Sequence, residues 1–182
     1  MDDKDTVMQP ECFRCGSKKT KVMYEDYQYI ESGLDNVILK DIPIVICKNC
    51  KSKMPIIPMM ESLHKTIGFA LIKKTRNLSG KEIRFLRKLM GLTSLQLANK
   101  LEVSEVTLSR WENDKESIGK PNDKLLRLLF ISSTLSKTKG YKHSINDILN
   151  LKHIDDHTDQ SPILIPMSSF SAQTVCLENS IC

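Results

Sequence analysis

The chain has 182 residues, a formal net charge of +5 and only 5 % aromatic residues. This length fits one ordinary domain or two small ones. Because large aromatic side chains are few, we expect small cores, at least one of which needs a stabilising cross-link. The composition, 40 % hydrophobic and 27 % charged, excludes a membrane-embedded or wholly disordered chain. An acidic start and the lack of a long apolar run lead us to expect a cytoplasmic protein with no membrane contact.

The positive charge is concentrated in the middle of the chain. Residues 1–55 carry nine basic and nine acidic groups, and residues 132–182 carry four and five. By contrast, residues 56–77 have four basic groups against one acidic, and residues 78–131 have ten against seven. We therefore expect an anionic partner to bind within 56–131.

Two C-x-x-C pairs carry the strongest chemical signal. Cys12 and Cys15 form the first, and Cys47 and Cys50 form the second. A two-residue spacer lets both thiolates of a pair reach one ion, and four thiolates complete a tetrahedral zinc site without an open position. Gly16 after the first pair can adopt the positive φ that turns backbone N–H groups towards a thiolate. The sequence predicts one structural Zn²⁺ per chain. The alternative, a redox C-x-x-C, normally lies at a helix N-terminus after a strand, and neither pair clearly does.

The segment between the two pairs has the composition of a hairpin. Residues 22–30 and 37–47 are rich in tyrosine and β-branched residues, and residues 32–36 supply a turn. Pro43 suggests that the second strand is an edge strand or is broken. We therefore expect a small zinc-stapled β-hairpin domain over residues 1–57.

Apolar residues at helical spacing predict an amphipathic linker helix over residues 58–75, within a linker spanning 58–77. Its methionines, Met59 and Met60, form either part of a core face or a partner surface. Lys73, Lys74 and Arg76 follow, and they either reach phosphates or only solvate the linker.

Residues 79–131 read as a run of short helices. Their starts are marked by capping residues or by a proline, at Ser79, Thr93, Ser104 and Pro121, and Gly91 ends the first of them. A further short helix is expected over residues 144–151, so the all-α domain, residues 78–152, should have four or five helices. Together with the β-hairpin domain and the linker helix, this predicts an α+β protein.

The helices beginning after Thr93 and Ser104 are joined by a short turn, as in a helix-turn-helix. The second would bury Leu108 and Trp111, and its N-terminal half would enter a DNA major groove. Arg110 has the fork geometry that bonds guanine. The candidate DNA-binding residues are Ser94, Glu105, Val106, Thr107, Ser109, Arg110, Asn113 and Lys115. The alternative is a helical packing module whose third helix carries only a solvated polar face.

The tail, residues 153–182, is expected to be mobile because it is rich in serine and threonine. His153 and His157 lie one helical turn apart but in acidic, weakly periodic surroundings that favour a solvated surface over a metal site. Cys176 and Cys182 are expected to be free thiols.

Taken together, the motifs carry a family resemblance. The stretches Leu92–Ala98 and Val103–Asn113 closely resemble the Xre/Cro helix-turn-helix regulators, and the two cysteine pairs resemble the YgiT-type zinc finger. That finger followed by that helix-turn-helix resembles the MqsA-type antitoxin family over roughly residues 10–131.

The resemblance implies a repressor that dimerises, binds operator DNA and autoregulates its operon, with an N-terminal zinc domain that binds a toxin ribonuclease. It places Arg110 at the family's base-reading arginine. It also places Val106 where the founding member has a base-reading asparagine, and Ser94 where many Xre proteins have a glutamine. The competing readings are a stand-alone Xre-type regulator without a toxin and a scaffold that does not bind DNA. No catalytic motif or phosphate-binding loop is present, so we expect no enzyme.

Overall fold

The computed structural model describes residues 10–57, 59–135, 150 and 161–166. In chain order these form strands β1 (Thr20–Gln28), β2 (Val37–Cys47) and β3 (Lys53–Pro55), helices α1 (Met60–Ile72), α2 (Gly80–Leu89), α3 (Ser94–Lys100), α4 (Glu105–Glu112) and α5 (Lys120–Leu135), and strand β4 (Ile163–Pro166). A short 3-10 helix, Ile30–Ser32, follows β1. The expected α+β class is confirmed: a β-rich region with four cysteines precedes five helices.

The described residues divide into two compact units. The β unit contains residues 10–28, 38–57, 59–60 and 164–166. The helical unit contains residues 29–37, 61–135, 150 and 161–163. Almost all of α1 therefore belongs to the helical unit, and so does the connection between β1 and β2.

The sheet of the β unit brings the two cysteine pairs to one end. Strands β1 and β2 are antiparallel, with Thr20 opposite Cys47, and β3 pairs with β2 through Lys53 opposite Ile46. The first cysteine pair lies just before β1, and the second lies where β2 ends. The predicted hairpin is therefore found. One cysteine knuckle, residues 12–16, precedes β1, and the other, residues 47–51, begins at the end of β2.

Pro43 does not make β2 an edge strand. β2 pairs with β1 and also with β3 and β4, and Pro43 itself lies opposite Tyr24. Pro43 has no backbone N–H to donate, but its carbonyl accepts a hydrogen bond from the Ile56 N–H at 2.8 Å. The expected irregularity lies at Asp41 instead, where φ is +55° and the backbone N–H donates to Asp26 Oδ1 at 3.2 Å. This is a β-bulge, which bends the strand.

Part of the expected mobile tail forms a strand. Ile163–Pro166 pairs with β2, and the Ile163 N–H donates to the Asn36 carbonyl at 2.7 Å. Ile163 and Ile165 are buried while Leu164 is exposed, which is the alternation of a half-buried strand. Alternating apolar residues thus outweigh the serine-rich composition around them. The helix expected over 144–151, the pair His153 and His157, and Cys176 and Cys182 lie outside the described residues.

The helices of the helical unit begin at the predicted capping residues. The Ser79 N–H donates to Glu82 Oε2 at 2.9 Å, and Thr93 and Gln96 form a second capping box. The Ser104 hydroxyl accepts the backbone N–H of the third residue of α4 at 3.0 Å. These caps satisfy the orphan donors of three short helices that are too short to be stable alone.

Helix α1 buries its aliphatic stripe and exposes its first methionine. Leu63, Ile67 and Leu71 are almost fully buried. Met59 and Met60 remain 41 % and 46 % exposed. The core interpretation is therefore right for the aliphatic residues and not for the methionines. In the described part of the chain, no helix combines the length and apolarity needed to cross a bilayer.

A fully buried arginine fixes the segment between α1 and α2. The Arg127 guanidinium of α5 donates to the carbonyls of Ile72 at 2.9 Å and Arg76 at 2.6 Å, and also to that of Lys74. Asp123, one turn earlier in α5, pairs with Arg127 at 2.7 Å and accepts from the Leu78 N–H at 2.9 Å. Carbonyls left without a partner at the end of α1 are thus satisfied by a side chain rather than by water.

Two of the three basic residues after α1 are structural. Lys74 and Arg76 both contact the buried carboxylate of Glu82, each at 2.8 Å. Only Lys73 of the three is exposed. The reading in which all three reach phosphates is therefore wrong for Lys74 and Arg76, because buried Glu82 needs their charge.

Candidate metal centre and nucleic-acid interface

The four cysteine sulfurs of the β unit converge on one point. All four Sγ atoms lie within 4.8 Å of one another. Cys12 and Cys50 are 3.6 Å apart, and Cys15 and Cys47 are 3.7 Å apart. A tetrahedral zinc ion with Zn–S bonds of about 2.3 Å requires sulfurs about 3.8 Å apart. The residues therefore fit a four-thiolate metal site.

Each knuckle has one residue with positive φ, but only one of them is glycine. Gly16 has φ +66° and its N–H donates to the Cys12 carbonyl at 2.7 Å. In the second knuckle Lys51 has φ +59° and its N–H donates to the Cys47 carbonyl at 3.0 Å. Lys51 thus makes in the second pair the turn that Gly16 makes in the first.

Ser52 is a supporting residue that the spacing of the cysteines did not reveal. Its Oγ lies 3.1 Å from Cys50 Sγ and 3.3 Å from Cys12 Sγ. Hydrogen bonds from the Ser52 hydroxyl and from the backbone of Cys15 and Arg14 outweigh desolvation and lower the pKa of Cys12 to about 6. The Ser52 hydroxyl also lowers the pKa of Cys50. A hydroxyl that stabilises thiolates favours the charged form that a metal binds.

The pKa of Cys15 moves the other way. A backbone hydrogen bond from Ser17 lowers it, but desolvation and the other three cysteines together raise the pKa to about 11. Four thiolates cannot all ionise close together without a cation, because like charges disfavour ionisation. The arrangement is therefore typical of a closed structural metal site rather than of a single reactive thiol.

The helix-turn-helix lies in the helical unit, where α3 and α4 pack against each other. Leu97 and Ala98 of α3 and Leu108 and Trp111 of α4 are buried. Between the helices, Glu102 takes φ +54°, which reverses the chain within a few residues. The outer side of α4 is left for contact with a partner.

The candidate DNA-binding residues lie together on that outer side. One shallow groove of about 600 Å³ is lined by seven of the eight, namely Ser94, Glu105, Val106, Ser109, Arg110, Asn113 and Lys115. Thr107 is the exception, because its hydroxyl lies 2.8 Å from that of Ser104 at the helix start. Val106 is 69 % exposed.

Arg110 and Asn113 differ in how free their side chains are. Arg110 is 62 % exposed and its nearest anion, Glu116 Oε2, is 3.8 Å away, a weak pairing at the surface. Asn113, by contrast, donates to the Ser109 carbonyl at 2.7 Å and accepts from Arg84 at 2.9 Å. Asn113 therefore ends α4 and is less available than Arg110 to a base.

A buried carboxylate holds α4 against α2, and sequence inspection missed it. Glu112 is 6 % exposed and accepts from Arg87 Nε at 2.6 Å and from Arg84 Nε at 3.3 Å. Arg84 also donates to the Glu112 carbonyl at 2.9 Å. Two arginines one turn apart on α2 were the available signal, since (i, i+3) residues share a helix face.

Comparison with known proteins identifies part of the chain. Residues 83–130, from α2 into α5, match a family model described as "Helix-turn-helix". No curated protein and no solved structure matches the chain. The match supports a DNA-binding regulator with an Xre-type helix-turn-helix and implies binding to double-stranded DNA.

Proposed function

We propose that this protein is a sequence-specific transcriptional repressor that binds operator DNA through α4. The single observation that carries the proposal is the groove on the helical unit, where seven candidate residues from α3, α4 and the turn after α4 meet. An exposed polar helix face of this kind, on a helix-turn-helix, enters the major groove.

Four residues of the groove have distinct roles in this proposal. Arg110 donates to the O6 and N7 of a guanine, and Val106 contacts a thymine methyl group. Ser94 at the start of α3 and Lys115 after α4 contact phosphates, which set the register of the protein on the duplex. Glu116 releases Arg110 when a base takes its place.

The operator can be found by selecting tight binders from random duplex DNA. A palindromic selected sequence would support a homodimer whose two α4 helices read half-sites about 34–36 Å apart. Analytical ultracentrifugation measures the oligomeric state independently. If the selected sequences share no motif and bind no more tightly than bulk DNA, the protein does not read DNA sequence-specifically.

We further propose that the four cysteines bind one Zn²⁺, held by Cys12, Cys15, Cys47 and Cys50. The metal supplies folding free energy by cross-linking the two knuckles, since four protein ligands leave no position for a reacting water. This is supported by the convergence of the sulfurs and by the Ser52 hydroxyl beside two of them.

The antitoxin role is a finer proposal, and its support is the layout of a cysteine-knuckle unit before an Xre-type helix-turn-helix. In this role, the β unit binds a toxin ribonuclease in the cytoplasm, and binding of α4 to the operator represses the operon. Purification of the native complex from cells decides it. A ribonuclease that co-purifies and loses activity when bound supports the antitoxin, and its absence supports a stand-alone regulator with a structural zinc site.

A further inference from the structure

Basic side chains that have no ion-pair partner among the described residues lie in and near the two cysteine pairs of the β unit. The described residues of this unit include eight basic and four acidic groups. Three of the basic groups form ion pairs, Lys18 with Glu11, Lys40 with Asp26 and Lys53 with Glu25. The other five are exposed and form no ion pair within the described residues: Arg14, Lys19, Lys21, Lys48 and Lys51.

The backbone holds these five groups at the knuckle end of the sheet. The Lys48 N–H donates to the Lys19 carbonyl at 2.8 Å, which joins the second knuckle to the start of β1. Lys21 lies opposite Ile46 in β2. Arg14 lies inside the first knuckle, and Lys51 directly follows the second. The backbone positions that carry the five basic groups therefore lie close together at one end of the sheet.

An exposed aromatic residue precedes Arg14 in the same turn. Phe13, between the two cysteines of the first knuckle, is 82 % exposed. The backbone on both sides is fixed by hydrogen bonds from the Cys12 N–H to the Ser17 carbonyl at 3.0 Å and from the Gly16 N–H to the Cys12 carbonyl at 2.7 Å. The ring is therefore presented to solvent by an ordered turn.

Neither feature is explained by the cysteine site. A zinc ion with four thiolates carries a formal charge of −2, which five cations exceed. A solvent-exposed phenylalanine contributes nothing to a metal site or to a core. A planar ring among cations matches the two needs of an unpaired nucleotide, a stacking partner for the base and positive charge for the phosphates.

We propose that this surface, defined by Phe13, Arg14, Lys19, Lys21, Lys48 and Lys51, binds single-stranded nucleic acid. The basic side chains contact successive phosphates, and Phe13 stacks on one base. Such binding is tolerant of sequence, because every base has a π-face. It is separate from the duplex-binding groove of α4 and does not require it.

The test measures binding of fluorescent oligo(dT), oligo(U) and a random duplex to the zinc-loaded full chain over a range of salt concentrations. In the triple variant Lys19→Ala, Lys21→Ala, Lys48→Ala, the slope of log K against log salt for the single strands should decrease in magnitude by about 2, since each lost phosphate contact contributes about 0.7. Lys65→Ala in α1 is the matched control and should leave the slope unchanged.

The ring is tested separately. Phe13→Ala should weaken single-strand binding roughly tenfold and leave duplex binding unchanged. Phe13→Trp should retain affinity, and its fluorescence should be quenched on binding. Zinc content equal to that of the parent verifies that each variant is folded. Equal single-strand affinity in the parent, the triple variant and Phe13→Ala overturns the proposal, as does a Phe13→Ala loss that is the same for duplex and single strand.

Discussion

Arg87 Nε lies 2.6 Å from Glu112 Oε1, and Arg87 Nη2 lies 2.9 Å from Glu112 Oε2. This two-pronged contact joins α2 to the last residue of α4. It pairs the buried Glu112 carboxylate with a guanidinium that is itself only 12 % exposed. The orientation of the proposed DNA-reading helix therefore depends on a charge that lies beneath it.

Glu112→Gln should lower the free energy of unfolding by about 3 kcal/mol, because it leaves Arg87 buried without its counter-charge. Urea denaturation followed by circular dichroism measures the change. Glu116→Gln, at an exposed glutamate, is the control and should cost less than about 0.5 kcal/mol. Equal stability of the two variants would show that the Arg87–Glu112 pair does not hold α4.

Arg110→Ala should weaken binding to the selected operator by roughly 1–3 kcal/mol and reduce discrimination against random DNA, as loss of a base-reading arginine does. Lys115→Ala is the contrasting variant, because the loss of a phosphate contact should weaken binding to the operator and to random DNA by the same factor. Gel-shift titrations on both DNAs measure the difference. If Arg110→Ala discriminates as well as the parent, the arginine does not read a base.

The stability contribution of Glu82 should depend on pH. Burial raises its pKa, but hydrogen bonds from Arg76, Lys74 and the Ser79 N–H outweigh this and hold the pKa below its ordinary value. A carboxyl whose pKa is lower in the folded state than in the unfolded chain stabilises the fold above the unfolded value, about 4.3. That contribution disappears as the pH falls through the folded pKa.

The stability gap between the parent and Glu82→Gln should therefore be largest at neutral pH and shrink as the pH falls below about 4.3. Unfolding free energies of both proteins at a series of pH values measure it. A gap that stays constant down to the acid end would mean that the Glu82 carboxyl has the same pKa in the folded and the unfolded chain.

Removal of the metal should unfold the β unit. A structural zinc site contributes an apparent 10–16 kcal/mol, roughly, at neutral pH. We expect one zinc ion per chain by native mass spectrometry, and none in Cys47→Ser. Chelation should collapse the amide resonances of β1 and β2. Full zinc occupancy in Cys47→Ser would contradict a four-cysteine site, and Ser17→Ala, at a residue that is not a ligand, should keep its zinc.

Gly80→Ala should destabilise the helical unit by about 1–3 kcal/mol. A methyl group at Gly80 would clash with the Trp111 carbonyl oxygen and would lie 2.7 Å from the Glu112 carbonyl carbon, so the start of α2 would have to move away from α4. Thermal unfolding measures the loss. Lys81→Ala, at the next and exposed position, is the control and should unfold close to the parent temperature.

The sequence predicts the elements whose signals are local. Ser79, Thr93 and Ser104 mark the helix starts because a cap is chosen by its neighbours, and the pair spacing indicates the cysteine cluster. Strand β3 and strand β4 were not predicted, since three or four residues give too short a period to recognise. The role of Arg127 was equally hidden, because its carbonyl partners lie more than 50 residues earlier in the chain.

The cationic surface of the β unit shows a second limit of linear reading. The charges of residues 1–55 sum to zero, and the sequence alone therefore predicts anion binding in the middle of the chain. Glu31 and Asp35 contribute to that sum, yet they fold into the helical unit. A count along the chain therefore includes carboxylates that do not belong to the β unit.

The contacts of Arg127 have one last consequence. Because one side chain donates hydrogen bonds to three carbonyl oxygens between Ile72 and Arg76, the chain there cannot serve as a hinge. The end of α1 is thereby tied to α5. We expect a displacement of α1 to be passed on to α5 instead of being absorbed by a loose connection.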